Sequence, residues 1–370
     1  MSSNTKRTFI AFALCMIAAF VLLSARTTQA QSTTPPLSNP GEYGVGQRFY
    51  TLVDTLRDNR EIPLAVWYPT EPPARRRPYI ALQENATPLI DDAPYPVVVY
   101  SHGGCHPNTG TYEVAPTLAS HGFVVISGEH YPEMMAACGR EPITSVVNRP
   151  LDVRFMLDSL PTLDEDLTPI IDMEHIGITG YSWGAYTAVA TSGAQVHPSA
   201  ISDICADDSS IGYCMWLRES WDEIVAIQAL YGVDADNNVW SNLVDDRITA
   251  ALAVSVCYSR IFGEEGLAMM EVPLLALVAR RDNAQSCNYE REALYLRDHI
   301  SSEDVFFYTY NAIDTGWGGP HYYLVSEEYK TGQHFAVAFF SYFLKGDESY
   351  LPYLDISYVE TPDSWDTDSD

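Results

Sequence analysis

The run Glu174-His175-Ile176-Gly177-Ile178-Thr179-Gly180-Tyr181-Ser182-Trp183-Gly184-Ala185-Tyr186-Thr187-Ala188-Val189-Ala190 decides the fold. Its first part reads as a strand, its last part as the start of a helix rich in small residues, and the five residues between, Gly180 to Gly184, form a G-x-S-x-G pattern. A strand that turns this abruptly into a helix leaves no room for side chains two positions before and two positions after the serine, so glycines stand there. The turn lifts the Ser182 hydroxyl above the sheet and puts the Trp183 backbone N–H at a helix N-terminus. The pentapeptide alone is a weak signal. Its flanks make it a nucleophile elbow, and the alternative is a serine in an ordinary strand-to-helix turn.

Outward from the elbow, strands and helices alternate. Residues 48–68 read as an antiparallel pair turning at Asp58-Asn59-Arg60. Tyr95-Pro96-Val97-Val98-Val99-Tyr100 and Gly122-Phe123-Val124-Val125-Ile126-Ser127 are short apolar strands, with a helix expected between them over residues 112–121. Residues 146–160 carry apolar positions at helical spacing, and strands follow the elbow at 248–256, 272–278 and 304–310, before a closing helix over 334–344. This order predicts an α/β domain over residues 45–350, with a mostly parallel central sheet flanked by helices. Residues 192–246 interrupt the alternation and carry Cys205, Cys214, Trp216, Trp221 and Trp240 in a polar background. They are expected to form a cap-like insertion after the nucleophile helix, over the C-terminal edge of the sheet, where ligands bind in open α/β folds. Residues 31–44 read as a linker, and residues 351–370 as an acidic tail that frays after 360.

A serine hydroxyl becomes a nucleophile only when a base takes its proton, and the base needs an acid to orient it. In chains with such an elbow the order is Ser, acid, His. Asp282 follows the strand Val272-Pro273-Leu274-Leu275-Ala276-Leu277-Val278, and His321 follows the last strand through a glycine-rich loop. Both therefore belong at strand C-terminal ends. Glu290, in the next helix, is a poorer acid, and Asn283 cannot serve. Among the other histidines, His334 is expected to begin the closing helix, His299 to end one, His197 to lie in the insertion and His102 to lie in an early loop. An oxyanion needs two backbone donors. Trp183 N–H is one, and Gly104, in Ser101-His102-Gly103-Gly104 after an early strand, is the other. Neither a cofactor nor a metal is expected. Asp234, Asp236 and Asn238 mimic the start of a calcium loop, but Val239 occupies the glycine position that such a loop requires, so a polar turn is expected.

The first thirty residues have the form of a cleavable leader. Lys6 and Arg7 precede the apolar run from Phe9 to Leu23, and Thr28-Gln29-Ala30 offers small residues for cleavage before Gln31. No later segment is long and apolar enough to span a bilayer. The net charge is −28, and the leader removes basic residues but no acidic one. Such a chain is a poor partner for nucleic acid or an anionic membrane surface. The 24 tyrosines and seven tryptophans fit a large core and an aromatic-lined cleft. Cys15 leaves with the leader, and an even number of cysteines in an exported chain points to disulfides. Sequence leaves the connectivity open, but topology ranks Cys105–Cys138, Cys205–Cys214 and Cys257–Cys287 first. A zinc site is the rival, without a C-x-x-C pair to support it.

Several stretches carry a family resemblance. They are Ala65-Val66-Trp67-Tyr68-Pro69, Val97-Val98-Val99-Tyr100-Ser101-His102-Gly103-Gly104, Asn148-Arg149-Pro150-Leu151-Asp152-Val153-Arg154-Phe155, the elbow, Arg247-Ile248-Thr249-Ala250-Ala251 and Phe339-Phe340-Ser341-Tyr342-Phe343-Leu344-Lys345-Gly346-Asp347. With these the chain resembles the secreted dienelactone hydrolase-like α/β hydrolases over residues 45–350, and more distantly the platelet-activating factor acetylhydrolases and cutinase-like polyester hydrolases. The resemblance implies an α/β-hydrolase fold and a Ser182–His321–Asp282 triad acting on a small-molecule or lipid carboxylic ester. Two departures matter. Dienelactone hydrolases carry cysteine at the nucleophile, where this chain has Ser182. The acetylhydrolases place their acid after the strand that follows the elbow, where this chain has Val254-Ser255-Val256-Cys257 and no carboxylate. The expected activity is therefore an exported serine esterase. A phospholipase A2-like enzyme and a polyester hydrolase are the alternatives, and a non-catalytic binding protein of the same fold is the reading from a different class.

Overall fold

The runs richest in buried aliphatic residues become the middle of the sheet. The structure is a computed structural model that describes residues 34–72, 74–75, 77–131, 142–207, 212–284, 286–311, 319–326, 328–359 and 364–367. Tyr95–Ser101 (β4), Val124–Gly128 (β5) and Leu274–Ala279 (β8) are buried at every position, as strands covered on both faces must be. Ile171–Tyr181 (β6), Ile248–Val254 (β7) and Val305–Tyr310 (β9) complete the parallel part. Gly44–Asp54 (β1) and Arg60–Thr70 (β2) form the expected hairpin, in register from Gly44 opposite Thr70 to Asp54 opposite Arg60. Its turn uses Asp58 and Asn59 with φ of 53° and 56°, a left-handed conformation these short polar residues tolerate.

Leu82–Glu84 (β3) and Trp365–Thr367 (β10) are the two edges of a ten-stranded sheet ordered β10-β9-β8-β7-β6-β4-β5-β2-β1-β3. The pairs from β5 through β4, β6, β7 and β8 to β9 are parallel, while β1–β2, β2–β5 and β9–β10 are antiparallel. Helices cover both faces. Ser145–Ser159 (α2) and Trp183–Thr191 (α3) contribute Val146, Leu151, Tyr186 and Val189 to the core on one side. Val114–Ser120 (α1) and the closing helix Tyr329–Lys345 (α8) contribute Leu118, Phe335, Phe339 and Phe340 on the other. The expected α/β architecture is therefore present as a mostly parallel mixed sheet with flanking helices.

Two expectations change. His334 does not begin the closing helix. The helix starts at Tyr329, and His334 sits fully buried inside it, bonded to the Tyr353 carbonyl at 2.9 Å and to the Leu37 N–H at 3.2 Å. Within residues 351–370, read as an acidic tail, Trp365 is buried and Trp365–Thr367 pair with Tyr308–Tyr310. Arg280 anchors this strand through Asp366 at 2.7 Å. An aromatic side chain that finds a sheet edge to cover offsets the polarity of its neighbours.

The stretch 192–246 folds into helices Pro198–Asp207 (α4), Gly212–Glu219 (α5) and Trp221–Leu230 (α6). Cys205–Cys214 joins α4 to α5. The ends of the stretch are held to the body, with Gln195 N–H donating to Gly266 O at 3.1 Å and Asp245 N–H donating to Thr191 O at 2.9 Å. Asp234, Asp236 and Asn238 close on themselves as a polar turn, in which Asp236 N–H donates to Asp234 Oδ1 at 3.1 Å and Asp234 N–H donates to Asn238 Oδ1 at 3.2 Å.

Candidate active site

The parallel strands bring their C-terminal ends to one edge, and Ser182, Asp282 and His321 meet there. Ser182 lies between β6 and α3 with φ 57° and ψ −115°, a strained backbone for a residue with a side chain. The crossing is tight. A Cβ on Gly180 would lie 2.3 Å from the Gly184 carbonyl, and one on Gly184 would lie 1.8 Å from the Ser101 carbonyl oxygen. The two glycines thus let strand, helix and the end of β4 touch through their backbones. Ser182 N–H donates to Val254 O at 2.9 Å, and Ser182 O accepts from Ala185 N–H and Tyr186 N–H as the first turn of α3.

His321 comes from Gly319–Ser326 (α7). Its Nε2 is 3.0 Å from Ser182 Oγ, and its Nδ1 is 2.6 Å from Asp282 Oδ2. Asp282 follows β8 in a turn closed by its own N–H on Ala279 O, and its Oδ1 accepts from Ala284 N–H at 3.0 Å. The carboxylate is buried (4% exposed), whereas His321 keeps about a fifth of its side chain open (22%). A buried acid behind a partly open imidazole orients the ring and stabilises its cationic form. Glu290 lies in a single π-type turn, Tyr289–Ala293, outside this line of bonds.

Trp183 opens α3, so its N–H has no acceptor within the helix. Gly104 lies in the loop after β4. That loop is pressed on the elbow, with Ser101 O against Gly184 and a Cβ on Gly103 falling 2.6 Å from the Tyr181 ring.

Cys257–Cys287 is a disulfide that ties the loop after β7 to the loop after Asp282, and Cys257 Sγ lies 3.7 Å from Ser182 Oγ. Cys257, Cys287 and His321 are a grouping of metal-type ligand atoms within 4.8 Å of one another, but the two sulfurs are bonded to each other and offer no thiolate. Cys105 is disulfide-bonded, and Cys138, its expected partner, falls outside the described residues. Disulfides Cys205–Cys214 and Cys257–Cys287 are compatible with an exported protein, and among the described residues no helix is long and apolar enough to cross a membrane.

Aromatic side chains wall the site on two sides. Trp183 packs on Tyr258 with ring centroids 4.3 Å apart, and Tyr213 from α5 packs behind Tyr258 at 5.2 Å. The insertion therefore reaches the nucleophile's neighbour through two rings. Opposite, Tyr181 lies 5.2 Å from His321, and His106 stacks on Tyr322 and bonds Tyr112 Oη at 2.9 Å. Burial, and then the Asp282 carboxylate, push the Tyr181 phenol far up, and burial with the charge of His102 lowers His106. The Tyr181 and Tyr112 phenols and the His106 ring are therefore uncharged near pH 7.

Sequence reasoning missed His130, Asp152 and Arg149, which form a buried polar network beneath the loop after β4. One signal was available. Arg149 and Asp152 stand three apart on α2 and so share a helix face, where two charged residues in an otherwise buried helix need a partner.

No protein-family model matches this chain, and a search of curated proteins gives no match.

Proposed function

We propose that the protein is an exported serine carboxylic-ester hydrolase with an α/β-hydrolase fold. One observation carries the reading. An unbroken line of hydrogen bonds runs Asp282–His321–Ser182, with the serine on a strained strand-to-helix turn. The chain order Ser, Asp, His and the helices on both sheet faces support the same fold. Ser182 Oγ attacks the ester carbonyl while His321 Nε2 takes its proton, and Asp282 holds Nδ1–H. The Gly104 and Trp183 N–H groups receive the oxyanion. His321 then protonates the leaving alcohol, and water repeats the sequence on the acyl-enzyme. The reaction needs neither metal nor cofactor. The net charge of −28 favours neutral esters over anionic ones and repels the carboxylate product.

The test is hydrolysis of p-nitrophenyl esters from acetyl to dodecanoyl by the oxidised protein without its leader, beside Ser182→Ala. Activity that disappears in the variant is the expected result, and the chain-length optimum separates a short-acyl esterase from lipase-like use. Absence of hydrolysis at every chain length would count against the reading and favour a binding protein of this fold.

A further inference from the structure

The loop that supplies Gly104 rests on a line of buried polar side chains. It begins at Asp152, which has no exposed surface and accepts from Arg57 Nη1 at 2.7 Å and from Arg60 Nε and Nη2, both at 2.9 Å. With two guanidinium partners the carboxylate stays ionised. Its Oδ2 lies 2.8 Å from His130 Nδ1, and His130 is itself fully buried. Burial, with the charge of Arg149, pushes His130 down to about 4. The ring is therefore neutral near pH 7, its Nδ1–H goes to Asp152, and its Nε2 is left as an acceptor. Ser101 Oγ stands 3.2 Å from that Nε2, so the Ser101 hydroxyl donates to it. The same Oγ accepts from Arg149 Nη1 at 3.2 Å. The direction of each bond is fixed by the one before it.

The line ends on the oxyanion loop. Arg149 Nη1 also donates to the His102 carbonyl oxygen at 2.6 Å, and the guanidinium carbon lies 6.0 Å from the centre of the Trp183 ring. Arg149 thus bonds the peptide next to the one that carries Gly104 N–H and lies beside the indole of Trp183. The next peptide is held in the same manner. His102 Nδ1–H donates to Gly103 O at 2.8 Å, and His102 Nε2 accepts from the His130 backbone N–H at 3.3 Å. A peptide unit is planar and trans, so holding the Gly103 carbonyl aims the Gly104 N–H the opposite way. Two successive carbonyls of the loop are gripped by side chains whose own partners are buried.

Stability alone is a weak reason for such an arrangement, because buried ion networks are often no better than apolar packing of equal volume. Its aim at two adjacent peptide groups is the informative part. We propose that Arg149 is a positioning residue that keeps the Gly104 and Trp183 N–H groups convergent on the developing oxyanion, with Ser101, His130 and Asp152 fixing its orientation. This rests on the serine-hydrolase reading above.

The experiment compares wild type, Arg149→Met, Arg149→Lys, Ser101→Ala and Ser182→Ala in kcat, KM and the pH dependence of kcat/KM on p-nitrophenyl butyrate, with thermal melts to certify folding. A donor that drifts from the oxyanion loses transition-state stabilisation without altering substrate binding or the base. Arg149→Met should lower kcat roughly 100-fold with KM within about three-fold, and the acidic limb of kcat/KM should not move. Arg149→Lys, which keeps a charged donor, should recover about ten-fold, and Ser101→Ala should lose about ten-fold. A folded Arg149→Met with wild-type kcat, a loss confined to KM, or a shifted acidic limb would each overturn the proposal. If Arg149→Met does not fold, wild-type kcat in both Arg149→Lys and Ser101→Ala overturns it. Full activity in Ser182→Ala would remove the hydrolase reading and this inference together, whereas an inactive Ser182→Ala beside a fully active Arg149→Met removes this inference alone.

Discussion

Glu292 should make the protein less stable as the pH rises from about 4.5 to about 7, and Glu292→Gln should abolish that dependence. The side chain is 1% exposed and has two polar neighbours, with Tyr213 Oη 3.4 Å from Oε1 and Arg260 N–H donating to Oε2 at 3.2 Å. Burial pushes its carboxyl up to about 7 from an ordinary 4.5, more than Arg260 and Arg291 pull it down. Between those two values the folded state holds a proton that the unfolded chain has released, so stability falls as pH rises through this window. Below pH ~4.5 both states are protonated and the effect vanishes; above pH ~7 both are ionised and the penalty is complete. A gap of this size corresponds to about 3 kcal/mol. Glutamine reproduces the neutral acid, accepting from Arg260 N–H with its oxygen and donating to Tyr213 Oη with its amide. Urea unfolding of wild type and Glu292→Gln at pH 5 and pH 8, at one ionic strength, should give stabilities within about 1 kcal/mol at the lower pH. At the higher pH the variant should be ahead by up to about 3 kcal/mol. An equal difference at both pH values would refute the reasoning.

Other expectations concern the triad and its frame. Asp282→Asn should keep the fold and lower kcat about 10⁴-fold, because an amide at 2.6 Å from Nδ1 selects the wrong imidazole tautomer; steady-state kinetics beside a thermal melt separates the two effects. Gly184→Ala should yield little folded protein, since its Cβ would meet the Ser101 carbonyl oxygen at 1.8 Å with backbone on both sides, and soluble expression with circular dichroism reads this directly. Removing Cys257–Cys287 by a double alanine substitution should destabilise the protein by about 3 kcal/mol, from a sequence separation of 30 residues, and should lower kcat by loosening the turn that carries Asp282. Denaturant melts and ester hydrolysis on the same samples check both parts.

The parts of the fold that were legible in sequence are those where local chemistry and tertiary context agree. Val97-Val98-Val99 and Leu274-Leu275-Ala276-Leu277-Val278 have neither the polar residues nor the turn formers that would let them be anything but central strands, and the Asp58-Asn59 turn announces its hairpin. Ser182, Asp282 and His321 were legible because each follows a strand, and strand ends in a parallel sheet converge. The edge strands were not. Leu82–Glu84 is exposed throughout, and Trp365–Thr367 sits in acidic surroundings, so pairing with a neighbour, rather than sequence pattern, makes them strands. Nor was the network under the oxyanion loop. Ser101 ends β4, His130 lies just past β5 and Asp152 is in α2, and no spacing along the chain announces a contact made only when those three elements pack.

The way the site is stitched across the sheet also bears on how the molecule must fold. Ser182 and His321 are 139 residues apart, and Asp282 lies 39 residues before His321. Chain entropy must be overcome for each of these closures before any contact between them returns energy, which makes topologies of this kind slow. The turn at Ser182 has its glycines within five residues, whereas His321 reaches it only when β7, β8 and β9 lie side by side next to β6. On the proposed reading, ester hydrolysis needs β6 to β9 in place together, so its return after denaturation reports assembly of that half of the sheet rather than the appearance of single elements.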